Sequence, residues 1–314
     1  MLTFIIRRLL LSIITVLLVT IIVFLLMQLV PGDPVLVVLG QNATEEQVEL
    51  IRHEMWLDRP LHVQYVHWLS NAISGDFGRS ITMNQDITKI TLYRLPITFY
   101  LSSVAFIFGV VLGIIGGSVC ALRRGSILDS IITLVANIGI AVPVFWLGIM
   151  GIYYFGLHLH WFPIQGFTSP FDDFWLSIKQ MVMPIICLVI PIMAGLIRVT
   201  RSSVLEVVRQ DYIRTAWSKG LNERVIVLKH TLKNALIPVV TMMGFFAGSL
   251  VGGQVLVEIV FNIPGMGRFM AQAAVNKDFP VVQAGTLIIS IVIILANLLV
   301  DLTYGWLDPR IRYS

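Results

Sequence analysis

Six histidines and two cysteines are the side chains of this 314-residue sequence best suited to metal or nucleophilic chemistry: His53, His62, His67, His158, His160, His230, Cys120 and Cys187. A transition-metal site needs several such ligands converging on one point. His158 and His160 flank Leu159, which is not a helix-face spacing, and no third ligand is evident; Trp161 beside them reads as part of an interfacial aromatic belt. Cys120 and Cys187 lie in apolar stretches without zinc-like spacing and read as small buried residues. Nucleotide hydrolysis would need a phosphate-cradling G-x-x-x-x-G-K-[ST], and the sequence contains none. Asn137, Gln254, Glu258, Asn297 and Asp301 interrupt apolar runs, where polar groups usually face a bundle interior. Glu258 and Asp301 sit near the ends of their runs, so Glu258 could reach the interface and Asp301 pair with an arginine. Asn137 and Gln254 are candidates for lining a pathway.

The other chemical feature is a cluster of cations. Residues 201–235, with Arg198, hold eight basic residues. Within them Tyr212, Ile213, Ala216 and Trp217 form a short apolar helical face, Gly220 is placed as a left-handed C-terminal cap, and Asn222 can N-cap the next helix. The pattern is helix, sharp turn, helix: a rigid knuckle. Composition alone favours a plainer reading, a basic loop that sets topology or meets anionic lipid.

The elements that must position these residues are membrane spans. Hydrophobic residues make up 57% of the chain and charged ones 13%, and the mean hydropathy is +0.86. Ordinary soluble domains are about a quarter charged, so lipid is the solvent for most of this surface. Six apolar runs are visible: Leu9–Val30, Ile97–Leu122, Ile127–Leu157, Met181–Ile197, Leu236–Phe261 and Ala284–Trp306. The first follows Arg7 and Arg8 but is too long for a secretory signal and ends without a small-residue cleavage site, so it reads as a retained first helix. Pro143, Pro184 and Pro191 predict kinks rather than gaps, because neighbouring helices can satisfy the freed backbone. Gly109, Gly113, Gly116 and Gly117 form a small-residue stripe suited to close helix packing.

Charge sets the orientation. With the N-terminus inside, the cytoplasmic segments carry 14 of the 22 basic residues and net +8, the other side nets −4, and both termini are cytoplasmic. The formal net charge of +4 is thus a topology signal and not a nucleic-acid footprint. This divides the chain into a tail and first helix over 1–30, an extracytoplasmic helical segment over 31–96, and a five-helix core over 97–314 with the cytoplasmic loop 201–235. In the outer segment Thr44-Glu45-Glu46-Gln47 is a capping box before Val48, Ile51 and Met55. Asp58 and Pro60 open a second helix with Leu61, Tyr65, Trp68 or Leu69, and Ile73 inward, ended by Gly75.

The run Asp211-Tyr212-Ile213-Arg214-Thr215-Ala216-Trp217-Ser218-Lys219-Gly220-Leu221 resembles the coupling loop of ABC importer permeases for peptides and nickel, D-Y-x-R-T-A-x-x-K-G-L. The resemblance continues through Leu232-Lys233-Asn234-Ala235-Leu236-Ile237-Pro238. It includes Pro31-Gly32-Asp33-Pro34, Gly75-Asp76-Phe77-Gly78, Thr200-Arg201-Ser202-Ser203, Pro264-Gly265-Met266-Gly267, Asp278-Phe279-Pro280-Val281-Val282-Gln283 and Asp308-Pro309-Arg310-Ile311-Arg312-Tyr313, in order along nearly the whole chain. Arg214 and Thr215 stand where the wider permease class has Glu and Ala, a departure usual in this branch. Trp217 stands where a basic residue is more usual.

The resemblance implies an all-α, polytopic type I importer permease of about six transmembrane helices, the first of two permease subunits in a bacterial inner membrane. It implies import of dipeptides or oligopeptides, with nickel or glutathione as alternatives. Two ATPase subunits would bind ATP and magnesium, this chain holding no cofactor or metal, and an extracytoplasmic binding protein would deliver the substrate. Asp211, Tyr212, Arg214, Thr215, Ala216, Trp217, Lys219 and Gly220 would form the ATPase-coupling loop, with Tyr212, Ala216 and Trp217 entering an ATPase groove and Arg214 and Lys219 pairing with acids at its rim. Two other classes compete: an ion-coupled secondary transporter, which few buried acids and one basic knuckle fit poorly, and an intramembrane enzyme, for which no convergent catalytic set is found.

Overall fold

The computed structural model describes residues 2–29, 34–40 and 43–307. Among these the regular structure is helical, and extended pairing is limited to an isolated bridge between Arg79 and Asp86. Pro31-Gly32-Asp33 and the block Asp308–Tyr313 lie outside the described residues, as does the side chain of Asp301.

The helices are α1 (Leu2–Leu29), α2 (Pro34–Leu39), α3 (Glu45–Glu54), α4 (Leu61–Ile73), α5 (Ile87–Leu122), α6 (Ile127–Ala141), α7 (Val144–Gly151), α8 (Phe174–Val208), α9 (Asp211–Ser218), α10 (Glu223–Val225), α11 (Lys233–Gly253), α12 (Val255–Val260), α13 (Met266–Val275) and α14 (Phe279–Leu307). π-Helical turns continue α7 through His158 and bridge α10 to α11 over Ile226–Leu232. Among the described residues five helices are long and apolar enough to cross a bilayer: Ile6–Leu29, Ile87–Leu122, Phe174–Val208, Glu223–Gly248 and Phe279–Leu298. The bent pair α6–α7 makes a sixth if counted as one span. The protein is a polytopic helical membrane protein.

The prolines behave in two ways. Pro184 and Pro191 lie inside the continuous 35-residue α8, and Pro96 and Pro238 inside α5 and α11. Pro143, in contrast, breaks its run: α6 and α7 meet at 101°. Val142 before it is extended, with ψ 127°, the conformation that a following proline ring enforces. The expected kink at Pro143 is therefore a corner.

The described residues pack as two compact units, Ile6–Thr98 with Pro264–Ile294, and Phe99–Ile263 with 2–5 and 295–307. A boundary at 96/97 falls inside the continuous helix α5.

In the first unit, Tyr65 of α4 meets α1 through a 2.9 Å hydroxyl pair with Thr20 and an edge-on contact with Phe24. The capping box opens α3, with the Gln47 amide donating to Thr44 Oγ1 and the Thr44 amide to Gln47 Oε1. α4 differs from expectation: Pro60 precedes it without a side-chain cap, because Asp58 instead meets His53 Nδ1 at 2.9 Å. That hydrogen bond holds the Asp58 carboxyl below its usual range. Leu61 and Ile73 are exposed, and the inward stripe is Tyr65, Trp68 and Ala72. A core of Ile87, Ile90, Met266, Phe269, Ala273, Val281 and Ala284 joins α5, α13 and α14. Beside it the fully buried Asp278 carboxylate accepts from Ser80 Oγ (2.6 Å), Thr82 Oγ1 (2.8 Å) and the amides of Ile81 and Thr82 (3.1 and 3.0 Å). A cavity of about 820 Å³ opens in this unit, lined among others by Met27, Trp56, Trp68, Arg79 and Gln283.

The second unit is built around α8. The glycine stripe of α5 meets it: a Cβ on Gly109 would stand 2.7 Å from Ile192 Cγ2, on Gly113 2.5 Å from Leu196 Cβ, and on Gly117 2.5 Å from Thr200 Cβ. On other faces Ala136 of α6 packs with Cys120, Ala194 and Ile197, and Val239 of α11 with Ile192 and Leu196. Cys120 and Cys187 are both buried free thiols.

Candidate functional site

The knuckle forms between α8 and α11. α9 begins after Gln210, with Asp211 in its first turn, where a carboxylate suits the helix dipole. Thr215 and Ser218 hydroxyls donate back to the carbonyls of Asp211 and Arg214. The helix ends in a Schellman motif: the Leu221 amide donates to the Ala216 carbonyl at 3.4 Å, and the Gly220 amide to that of Trp217 at 2.9 Å. Gly220 has φ +72°, a conformation that a residue without Cβ adopts at no steric penalty. Asn222 then caps the next helix, its Oδ1 accepting from the Arg224 amide at 3.1 Å.

The apolar face of α9 divides. Ile213 and Ala216 are buried against Ile226 and Val207, forming a small core of the knuckle's own. Tyr212 and Trp217 remain 46% and 49% exposed. Asn234 Nδ2 donates to the Tyr212 hydroxyl at 3.0 Å and also to the His230 carbonyl, so the ring is tied to the start of α11. Arg214, Thr215 and Lys219 are exposed, and Arg214 lies 3.7 Å from the exposed Asp211. Ala216 therefore does not offer apolar surface to a partner, contrary to the sequence expectation: its side chain is already used inside the knuckle. Ile213, its most buried member, carries no signal beyond helical spacing.

Below the knuckle, Arg201 of α8 grips Asp129 of α6 through two bonds, Nε to Oδ1 at 2.7 Å and Nη2 to Oδ2 at 2.9 Å. Nothing in the sequence pairs these residues, which are 72 positions apart.

The pathway candidates separate as well. Asn137 is exposed on α6. Gln254 is fully buried, its Nε2 bonded to Ser102 Oγ, so it faces packed protein and lines no open surface. Glu258 is also fully buried and does not reach an interface. Among the described residues, no group of three or more His, Cys, Asp or Glu side chains could hold a metal.

The comparisons with known proteins agree with this architecture. Residues 109–313 match the family of binding-protein-dependent transport system inner membrane components, and residues 1–102 match its N-terminal companion. The chain is 40% identical to a probable peptide ABC transporter permease of Sinorhizobium fredii over 99% of both chains. It is 37% identical to a dipeptide transport system permease of Alkalihalophilus pseudofirmus over the whole of both. Its fold resembles a chain of the inward-facing MetNI methionine ABC transporter, with a TM-score of 0.57 at 18% identity over 70% of this chain and 96% of that one. A chain of an amino acid ABC transporter gives 0.53 at 13% identity, over 69% and 94%.

Proposed function

The chain belongs to the family of binding-protein-dependent transport system inner membrane components, and from that premise we propose that it is one of two permease subunits of an ATP-driven importer of di- or oligopeptides. The observation that carries this reading is the knuckle: a short helix closed by a Schellman motif, backed by its own core, and presenting Tyr212 and Trp217 with Arg214 and Lys219 beside them. Peptide is the substrate class carried in the names of relatives that span the whole chain.

Two ATP-binding subunits, holding ATP and magnesium, dock on the knuckles of this chain and of a second homologous permease. A binding protein delivers substrate on the opposite side. Both termini and residues 201–235 are cytoplasmic and residues 31–96 extracytoplasmic, as the excess of basic residues in the assigned cytoplasmic segments supports. Closure of the ATPase dimer draws the knuckles together and opens the pathway between the two permeases outward; hydrolysis and product release reset it. A helix with a packed back face suits this role because it transmits displacement, where a flexible loop would absorb it.

The test is reconstitution in proteoliposomes with the partner permease, the ATPases and the binding protein. Dipeptide uptake should require ATP and all four components. Uptake by this polypeptide alone under an ion gradient would overturn the reading.

A further inference from the structure

Resting on that reading of the knuckle, we propose that Asp129 and Arg201 are its positioning pair: their fork locks α8 to α6, so that displacement of the knuckle is delivered to both spans together. The geometry is that of a built joint. Asp129 lies in the first turn of α6, where its amide donates to the Ser126 cap at 3.2 Å. Its carboxylate has four donors: Arg201 Nε and Nη2, the Gly125 amide at 3.0 Å and the Thr133 hydroxyl at 3.3 Å. The Asp129 side chain is 6% exposed and that of Arg201 30%. A planar guanidinium holding both oxygens fixes angle as well as distance, which an ammonium does not.

The joint's place along α8 gives it its purpose. Thr200, one residue earlier, is the side chain that Gly117 of α5 accommodates. Arg201 thus stands where α8 is gripped by α5 on one side and α6 on the other. From there α8 runs to Val208, seven residues or roughly 10 Å on. Val207, just before that end, packs against Ile213, Ala216 and Ile226 of the knuckle. A push on α9 is carried through Val207 into α8, and at Arg201 it reaches the one ionic tie to α6 found among the described residues. Without the fork, α8 could slide or turn against α6, and the stroke would be lost in that slip.

The test compares peptide transported per ATP hydrolysed, in the reconstituted full complex, for wild type, Arg201→Lys, and the double variant Asp129→Asn with Arg201→Gln. The double variant leaves no unpaired charge, so it should assemble even where single variants do not. Both Arg201→Lys and the neutral pair should assemble and hydrolyse ATP while the ratio falls by about tenfold, because an ammonium or an amide pair cannot hold the fork. A wild-type ratio in the neutral pair would overturn the proposal, as would a loss confined to the amount assembled. Either failure leaves the knuckle reading standing provided that Trp217→Ala still uncouples, so the two are separable.

Discussion

Gly117 of α5 lies so close to Thr200 of α8 that a Cβ added to it would stand 2.5 Å from the Thr200 Cβ, 2.7 Å from the Ile197 carbonyl oxygen and 3.1 Å from the Arg201 amide. Two of these three neighbours are backbone and cannot turn aside. Gly117→Val should force the helices apart, at about 1–3 kcal/mol or more for overpacking. Gly116→Ala is the control, since its Cβ would meet side-chain atoms and no backbone: Ile197 Cγ1 and Cδ1 at 3.1 and 3.2 Å and Ile132 Cγ2 at 3.9 Å. Thermal unfolding in detergent should show a lowered midpoint for the first and little change for the second. Equal midpoints would mean that the α5–α8 contact is looser than described.

Asp278 binds the Ser80–Thr82 turn with four hydrogen bonds from 198 to 196 residues away. Asp278→Asn replaces one acceptor oxygen with a donor facing donors. Each orphaned buried group costs about 1–3 kcal/mol, so the turn should open. Limited proteolysis between Arg79 and Lys89 is the measurement. Faster cleavage in the variant, with spans intact, is expected, and unchanged cleavage would contradict the clamp.

On the knuckle the two faces of α9 should respond differently. Trp217→Ala removes an exposed ring and should leave insertion and stability unchanged while weakening ATPase association. Ile213→Asp places an uncompensated charge in the fully buried position, a loss on the order of 3–5 kcal/mol, and should disorder the knuckle itself. Protease sensitivity of 209–225 and co-purification of ATPases separate the two. If Trp217→Ala co-purifies and couples normally, the exposed face is not the docking face.

Gly220→Val keeps every spanning helix but forces a β-branched residue to φ +72°, a strain of about 1–3 kcal/mol. Nothing lies within 4 Å of an added Cβ there, so the whole effect is backbone strain. Membrane insertion should be normal and binding-protein-stimulated ATP hydrolysis reduced. Full stimulation would show that the Schellman turn does not set the angle of α9.

Topology is tested with single cysteines at Ser74 and Ser218, both exposed, in a background without Cys120 and Cys187. A membrane-impermeant thiol reagent should label them from opposite sides. Labelling of both from one side would remove the orientation on which the knuckle's partner depends.

The sequence by itself determined what is local. Apolar runs long enough for a bilayer, the Thr44–Gln47 capping box, the Asn222 cap and the Gly220 stop are all decided within a few residues, by helical hydrogen bonding and by the solvent the side chains require. The glycine stripe of α5 announced close packing in the same way, because absence of a side chain is visible without knowing what fills the space. The tertiary structure alone decided which polar groups meet and which way a mixed face turns. Asp129 and Arg201, or Asp278 and Ser80, are single charges and hydroxyls with many alternative partners until packing brings two chain-distant helices together. Gln254 looked the same in sequence whether it faced a pathway or Ser102. Ala216 and Trp217 adjoin on one apolar face, yet one is buried and the other exposed, because Ile226 returns from the next helix to cover only the first. At Pro143 the local rule supplies the break in hydrogen bonding, but the 101° between α6 and α7 appears only in the tertiary structure, where both helices pack against α8.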